Sequence, residues 1–292
     1  VKAPFTIYDL RFTICRKSAE SVAFNRQFRR AFTLVELLVV ISILGILAAL
    51  TVPAIKNLGK SNVATSASRQ LLDGVGRARQ LAIADHTTVY MIFVPTNFWL
   101  SPYTSGPGWT NTLTPAQLSA AVNLCDKQLT GYTFVANGAA GDQPGRHTWH
   151  YLDTWQSLPD GSFIASWKFG PRATSNPVPD PASGASLYSV PGFNVVNVPF
   201  PTADSPSVVL PCIAFNYLGQ LTTDGQNPAS QHEYIPLARG TVAPAMDASK
   251  VLQFGSPFFQ EIPPGNSASS AFDMVDVDPL TGRATLKFQK VQ

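Results

Sequence analysis

The chain has 292 residues, enough for one or two domains, and only 13% are charged, while it holds 20 glycines and 24 prolines. That composition favours a loop-rich β domain over a helical bundle. The net charge of +3 is uneven: residues 1–31 carry seven Lys/Arg against two Asp/Glu, a net of +5, which leaves the remainder at −2 and without a basic patch for nucleic acid.

After this basic stretch, Phe32–Val52 is an apolar run of 21 residues with one ionisable side chain, Glu36. As a helix it rises about 31 Å, which matches a hydrocarbon core of about 30 Å. Arg11, Arg16, Lys17, Arg26, Arg29 and Arg30 precede it, whereas only Lys56 and Lys60 follow closely. This bias keeps the N-terminus cytoplasmic and sends the C-terminal bulk outward. Three other readings compete. Core helices are rarely apolar on all faces over such a length. A cleaved secretory signal needs a small-residue site after the run, and Ala48-Ala49-Leu50 does not supply one. A plain signal anchor explains the length but not Glu36, since a carboxylate in hydrocarbon costs roughly 2.5–3.5 kcal/mol on insertion scales. Gly45 and Pro53 bracket a stretch where the helix is weakened.

Ala31-Phe32-Thr33-Leu34-Val35-Glu36, the apolar run and Pro53 together resemble the N-terminus of type IV prepilins and type II secretion pseudopilins. The resemblance implies cleavage between Ala31 and Phe32 by a prepilin peptidase, N-methylation of Phe32, and a mature chain of 261 residues. Ala31 departs from the family's usual Gly before the cut. Glu36, Gly45 and Pro53 become assembly residues. The new amino terminus at Phe32 is a cation that a neighbouring subunit can offer to Glu36, and buried charge is well suited to setting register. The implied partners are the peptidase, other pilin or pseudopilin subunits, an inner-membrane assembly platform and membrane lipid. The implied location is the bacterial inner membrane, single-pass, with a periplasmic C-terminal domain.

Residues 53–86 continue as an amphipathic helix: Leu58, Leu71, Val75, Ala78 and Ala82 recur at helical spacing, with Arg69, Arg77 and Arg79 on polar positions. Thr87–Val94 predicts the first strand of a β-rich head that covers 87–292. Residues 95–150 read as an insertion, with a helix over Pro115–Leu129 capped by Thr114. A strand is expected over Phe163–Phe169, and a Pro/Ser/Gly-rich surface loop over 170–206. Further strands are expected over Ser207–Leu221, interrupted by a turn at Asn216–Gln220, and over Glu233–Thr241. Ala271–Val277 and Arg283–Val291 predict a hairpin through Asp278-Pro279-Leu280-Thr281-Gly282. The expected fold is α+β, a long N-terminal helix packed on an antiparallel sheet with large loop insertions, as in pilins. The turns Leu158-Pro159-Asp160-Gly161, Phe215–Gly219 and Thr281-Gly282-Arg283 are similar to H-type minor pseudopilins. The long leader with Ala before the cut resembles prepilin-like proteins of verrucomicrobia and planctomycetes.

No G-x-S-x-G, H-E-x-x-H or P-loop motif is present, so no enzyme class is indicated. His147 and His150 have the spacing of a metal pair but lack a third ligand. Asp273, Asp276 and Asp278, with Asp247 upstream, offer hard oxygen ligands for Ca²⁺, although their spacing matches no EF-hand loop. No cofactor is otherwise expected. Cys15 falls in the leader. Cys125 and Cys212 are candidates for a disulfide in an oxidising compartment, with two buried free thiols as the alternative. Trp99, Trp109, Trp149, Trp155 and Trp167 are read as core or insertion packing, with a binding face as the alternative. The functional expectation is a structural subunit of a pseudopilus or type IV pilus-like filament. The alternative is a membrane-tethered periplasmic binding protein or enzyme that uses a pilin-like anchor.

Overall fold

The computed structural model describes residues 33–104, 108–138, 148–179, 186–268 and 273–288, and among these the side chains of residues 49–63, Leu187 and Phe288 lie outside the description. Two compact units are present, Val1–Val52 and Pro53–Gln292. Helix α1 spans Leu34–Ala84. Gly45 and Pro53, expected to weaken it, both lie within its bounds. Among the described residues no helix is long and apolar enough to cross a membrane. The described side chains of the expected span run from Thr33 to Ala48.

The strands, in chain order, are β1 (Val89–Phe93), β2 (Gly131–Asn137), β3 (Trp149–Tyr151), β4 (Gln156–Ser157), β5 (Ser162–Ile164), β6 (Ser175–Pro179) and β7 (Ser186–Pro191). They continue as β8 (Asn194–Pro199), β9 (Ser207–Phe215), β10 (Leu221–Thr222), β11 (Glu233–Ala243), β12 (Phe258–Glu261), β13 (Asp273–Val277) and β14 (Ala284–Phe288). A second helix, α2 (Pro115–Leu124), sits between β1 and β2. One seven-stranded sheet has the order β10-β9-β1-β2-β3, with β4 also on β2 and β8 also on β9. A five-stranded sheet has the order β12-β11-β13-β14, with β5 also on β11, and β6–β7 form a separate hairpin. All of these named pairings are antiparallel. The fold is therefore α+β.

Strand periodicity sends alternate side chains to opposite faces, and both faces of the larger sheet are buried. Met91 and Phe93 of β1, Tyr132 and Phe134 of β2, and Ile213 and Phe215 of β9 face one core. That core also holds Leu71, Val75, Ala78 and Ala82 from α1, and Ile235, Leu237, Val275 and Val277 from the smaller sheet. From Leu71 to Ala82 the helix stripe expected from sequence thus packs against both sheets, while the side chain of Leu58 lies outside the described residues. Ile92, Val135, Leu210 and Cys212 point the other way, into a second core closed by Phe98, Trp109, Ala121, Leu124 and Phe200.

This second core revises the reading of 95–150 as an insertion throughout. Gly131–Asn137 is an interior strand of the large sheet, flanked by β1 and by β3 and β4. The loop and α2 ahead of it cover the sheet's second face. Helix α2 begins as expected, with a capping box between Thr114 and Gln117, and ends at Leu124 in a 3₁₀ turn over Cys125–Lys127. Residues 170–206 likewise contain β6, β7 and β8 rather than one surface loop, and Phe163–Phe169 is strand only to Ile164 before a 3₁₀ turn at Ser166–Phe169.

Two turns clasp α1. Gly219, in the turn before β10, has φ +76, and Gly282, before β14, has φ +62. A side chain at Gly282 would place Cβ 2.0 Å from the Gly219 carbonyl oxygen, and Arg79 of α1 lies against both glycines. Arg79 Nε donates to the Thr281 carbonyl at 2.8 Å. One arginine thereby ties a turn of each sheet to the helix.

Two outcomes are expected from equilibrium denaturation of the full chain. Leu71→Ala should cost about 2–5 kcal/mol, because a fully buried side chain in the central core is removed. Gly282→Ala should cost at least about 1–2 kcal/mol, because it demands left-handed backbone from an L side chain and forces the two turns apart.

Candidate assembly segment and head chemistry

The N-terminal unit contributes the start of α1. Thr33 caps the helix: its hydroxyl accepts from the Glu36 backbone N–H at 3.2 Å, and its carbonyl accepts from the Leu37 N–H at 3.2 Å. Thr-x-x-Glu is the spacing of a capping box, and a carboxylate at the third helical position is favoured by the helix dipole by about 0.3–1 kcal/mol. Glu36 is thus helix-stabilising in position while its side chain is exposed. All described side chains from Leu34 to Ala48 are exposed, including Leu34 at 80%, Ile46 at 64% and Ile41 at 58%. Ser42, a polar residue in the run, turns its hydroxyl back to the Leu38 carbonyl at 2.8 Å. This satisfies the group internally, as an apolar surrounding requires. A Cβ built on Gly45 meets nothing within 4 Å, so no contact within the described residues calls for a glycine there. Ala31 and Phe32 lie outside the described residues, as does the side chain of Pro53.

In the head, the structure does not bring the three expected Ca²⁺ ligands together. Asp273 pairs with Arg239 at 2.6 Å. Asp276 pairs with His232 at 2.7 Å and lies 3.7 Å from Lys287. Asp273 and Asp276 are an odd number of strand positions apart and so project to opposite faces of β13. Asp278 serves its own turn, accepting from the Leu280 N–H at 3.1 Å and from the Thr281 N–H and hydroxyl at 2.7 and 2.8 Å. Those bonds hold its carboxyl below the usual range. Asp247 likewise caps a loop, through Ser249 and Val251. Among the described residues no group of three or more His, Cys, Asp or Glu is arranged to hold a metal ion. His147 lies outside the described residues, and His150 sits on β3.

Cys125 and Cys212 share the second core but are free thiols rather than a disulfide. Burial pushes the Cys125 thiol up to about 12 and raises that of Cys212 as well, which makes both inert. The tryptophans do not form a face. Trp99, Trp109, Trp149 and Trp155 pack into or against the second core, and Trp167 lies apart, donating to the Ser267 hydroxyl at 2.9 Å.

A buried ion network escaped the sequence reading. Lys168, fully buried, donates to the Pro191 carbonyl at 2.8 Å and to Glu233, and its ammonium lies 4.6 Å from the Phe193 ring centroid. Arg172 donates to the other Glu233 oxygen at 3.0 Å and to the Gly192 carbonyl at 3.3 Å. Burial lowers the Lys168 ammonium below the usual lysine range, and the Glu233 carboxylate opposes that shift. The network joins the 3₁₀ turn, the β7–β8 corner and the start of β11. The available signal was a lone lysine between two aromatics, Trp167-Lys168-Phe169, in a segment expected to be a strand.

Glu233→Gln should destabilise the chain by about 3–5 kcal/mol in equilibrium denaturation, since it leaves a buried ammonium uncompensated. The Asp278 turn should loosen in acid. Its carboxyl is depressed in the folded state, so its contribution is present above the unfolded value of about 3.9 and is lost as pH falls through the lower folded value. The protection factors of the Leu280 and Thr281 amides should therefore fall below that pH, and Asp278→Asn should show low protection at neutral pH already.

Residues 26–52 match the family model described as the prokaryotic N-terminal methylation motif. No curated protein and no solved structure matches the chain. The matched residues end the basic stretch and include the capped start of α1, whose described side chains from Leu34 to Ala48 are exposed. Over that segment the chain is similar to the prokaryotic N-terminal methylation motif, the motif of type IV prepilin-like and pseudopilin-like proteins.

Proposed function

We propose that the protein is a structural subunit of a type II secretion pseudopilus or type IV pilus-like filament. In this reading a prepilin peptidase cuts between Ala31 and Phe32, Phe32 is N-methylated, and the apolar start of α1 holds the chain in the inner membrane before assembly. The head is then periplasmic, and its role is structural rather than enzymatic. The observation that carries the proposal is an apolar helix segment, inside a methylation motif, whose described side chains are exposed on every face. Lipid and the same helix of neighbouring subunits are the two surroundings that such a surface suits.

Glu36 fits both stages. Within one chain it completes a favourable helix start beside the Thr33 cap. In a filament its exposed carboxylate is available to the cationic N-terminus of a neighbour, which sets axial register. Gly45, with open space around it in the monomer, suits close approach of a second helix. The turns Leu158–Gly161, Phe215–Gly219 and Thr281–Arg283 favour a minor subunit of the H type within this reading. The Arg79 clasp gives two of those turns a physical purpose in the head.

Co-expression with a prepilin peptidase and an assembly platform tests the role. Glu36→Ala should lower recovery in sheared filaments at least tenfold while the denaturation curve of the head is unchanged. Gly45→Leu should leave the head equally stable and also reduce assembly. Undiminished assembly of Glu36→Ala would contradict the filament role and favour a tethered binding protein or enzyme.

A further inference from the structure

Between the middle of α1 and the large sheet lies an open cleft of about 340 Å³ within the second unit. Its helix side presents Arg69, Gln70, Asp73 and Arg77, and its sheet side presents Tyr132 and Gln156. These groups are already linked in a chain. Gln70 Nε2 donates to the Tyr132 hydroxyl at 3.2 Å and to the Ser157 carbonyl at 2.9 Å. Tyr132 donates to Gln156 Oε1 at 3.1 Å, and Gln156 Nε2 donates to Asp153 Oδ2 at 2.7 Å. The same Asp153 oxygen receives Arg77 at 2.8 Å.

The donor and acceptor count of that chain decides what the cleft can bind. The Tyr132 oxygen, Gln156 Oε1 and Asp153 Oδ2 already accept from its own donors. What remains for a ligand is the donor capacity of the two arginines and the acceptor capacity of the Asp73 carboxylate. Arg77 carries five N–H groups, and its pairing with Asp153 engages part of that fork. Its guanidinium is steadied 5.7 Å from the Phe134 ring centroid, so part of the ordering cost of binding is already met. Arg69, two helical turns earlier, is exposed, and its guanidinium has no ion-pair partner among the described residues. A pair of guanidinium forks along one wall selects a planar anion, above all a carboxylate. Asp73 lies one turn from each arginine. It weakens the field for a bare anion but can accept from a hydroxyl.

We propose that this cleft binds a small hydroxylated carboxylic acid of the uronic-acid type. The carboxylate sits against Arg69 and Arg77, and the hydroxyls face Asp73 and the Gln70 and Gln156 amides. The volume is at the low end of the roughly 300–1,000 Å³ typical of small-ligand sites, which suits a single sugar ring, and the open polar wall implies weak binding, on the order of 1 mM. This assignment is independent of the filament reading, since it uses only residues of the second unit.

The test is calorimetric titration of the full chain in detergent at about 150 mM salt, where long-range charge effects are screened. The probes are galacturonate, galactose and inorganic phosphate. Galacturonate should bind saturably, and galactose at least tenfold more weakly. Arg69→Ala should weaken galacturonate about tenfold with an unchanged melting temperature, and Arg69→Lys should also weaken it, because a lysine keeps the charge but loses the fork. Absence of saturable galacturonate binding, equal binding of galactose, or an unaffected Arg69→Ala variant would overturn the proposal. Phosphate binding as tight as galacturonate would overturn the carboxylate assignment.

Discussion

The head depends on how closely the helix stripe of α1 can approach two sheets at once. Leu71 and Val75 fill the centre of the main core, and Gly74, Ala78 and Ala82 keep the helix surface low around them. A Cβ at Gly74 would lie 3.3 Å from Met91 and from Tyr132, so the large sheet already rests on that position. With the helix seated, residues of β11 and β13 close the same core from the smaller sheet. The remaining layers cover what is left: α2 and the aromatic loop take the second face of the large sheet, and the β6–β7 hairpin packs Val178 and Val190 against Met274 of the smaller one. Burying both faces of each sheet is costly in chain length, and this accounts for the long segments between strands.

The same helix begins in a different physical situation. Leu71, Val75, Ala78 and Ala82 are buried in the main core, whereas the described side chains from Leu34 to Ala48 are all exposed. A soluble domain rarely leaves so large an apolar surface uncovered without a partner for it. The polar groups in that stretch are handled locally, Ser42 by its bond to Leu38 and the first helical amides by Thr33. Glu36 is exposed and has no ion-pair partner among the described residues. The methylation motif covers this same exposed stretch of the helix.

Elements with strong local signals were legible in the sequence. β1, β9 with its Asn216–Gln220 turn, β11 and the β13–β14 hairpin are rich in β-branched and aromatic residues, and β9 and β13 run into Asn and Asp turns. Helix α2 announced itself through Thr114-Pro115 and Gln117. β2 was hidden because it follows a long loop and begins at Gly131, although Tyr132 to Ala136 alternate correctly between the two cores. β6 to β8 were hidden by proline, since edge and hairpin strands tolerate residues that read as loop. Candidate sites were less legible, because they depend on tertiary placement. The spacing of Asp273, Asp276 and Asp278 could not show that Asp273 is taken by Arg239, Asp276 by His232 and Asp278 chiefly by its own turn. Gln70 and Tyr132, 62 positions apart, could not be linked without the fold. Lys168 and Glu233 carry no motif at all, yet their pairing anchors three segments of the head.

The central claim is that the apolar start of α1 is the processed, assembly-competent end of a prepilin-like subunit. Mass spectrometry of the N-terminal peptide, from protein made together with a prepilin peptidase, tests this most directly. The account predicts a chain that begins at Phe32 and carries one N-methyl group. A retained 1–31 segment, or a terminus near Val52, would contradict it.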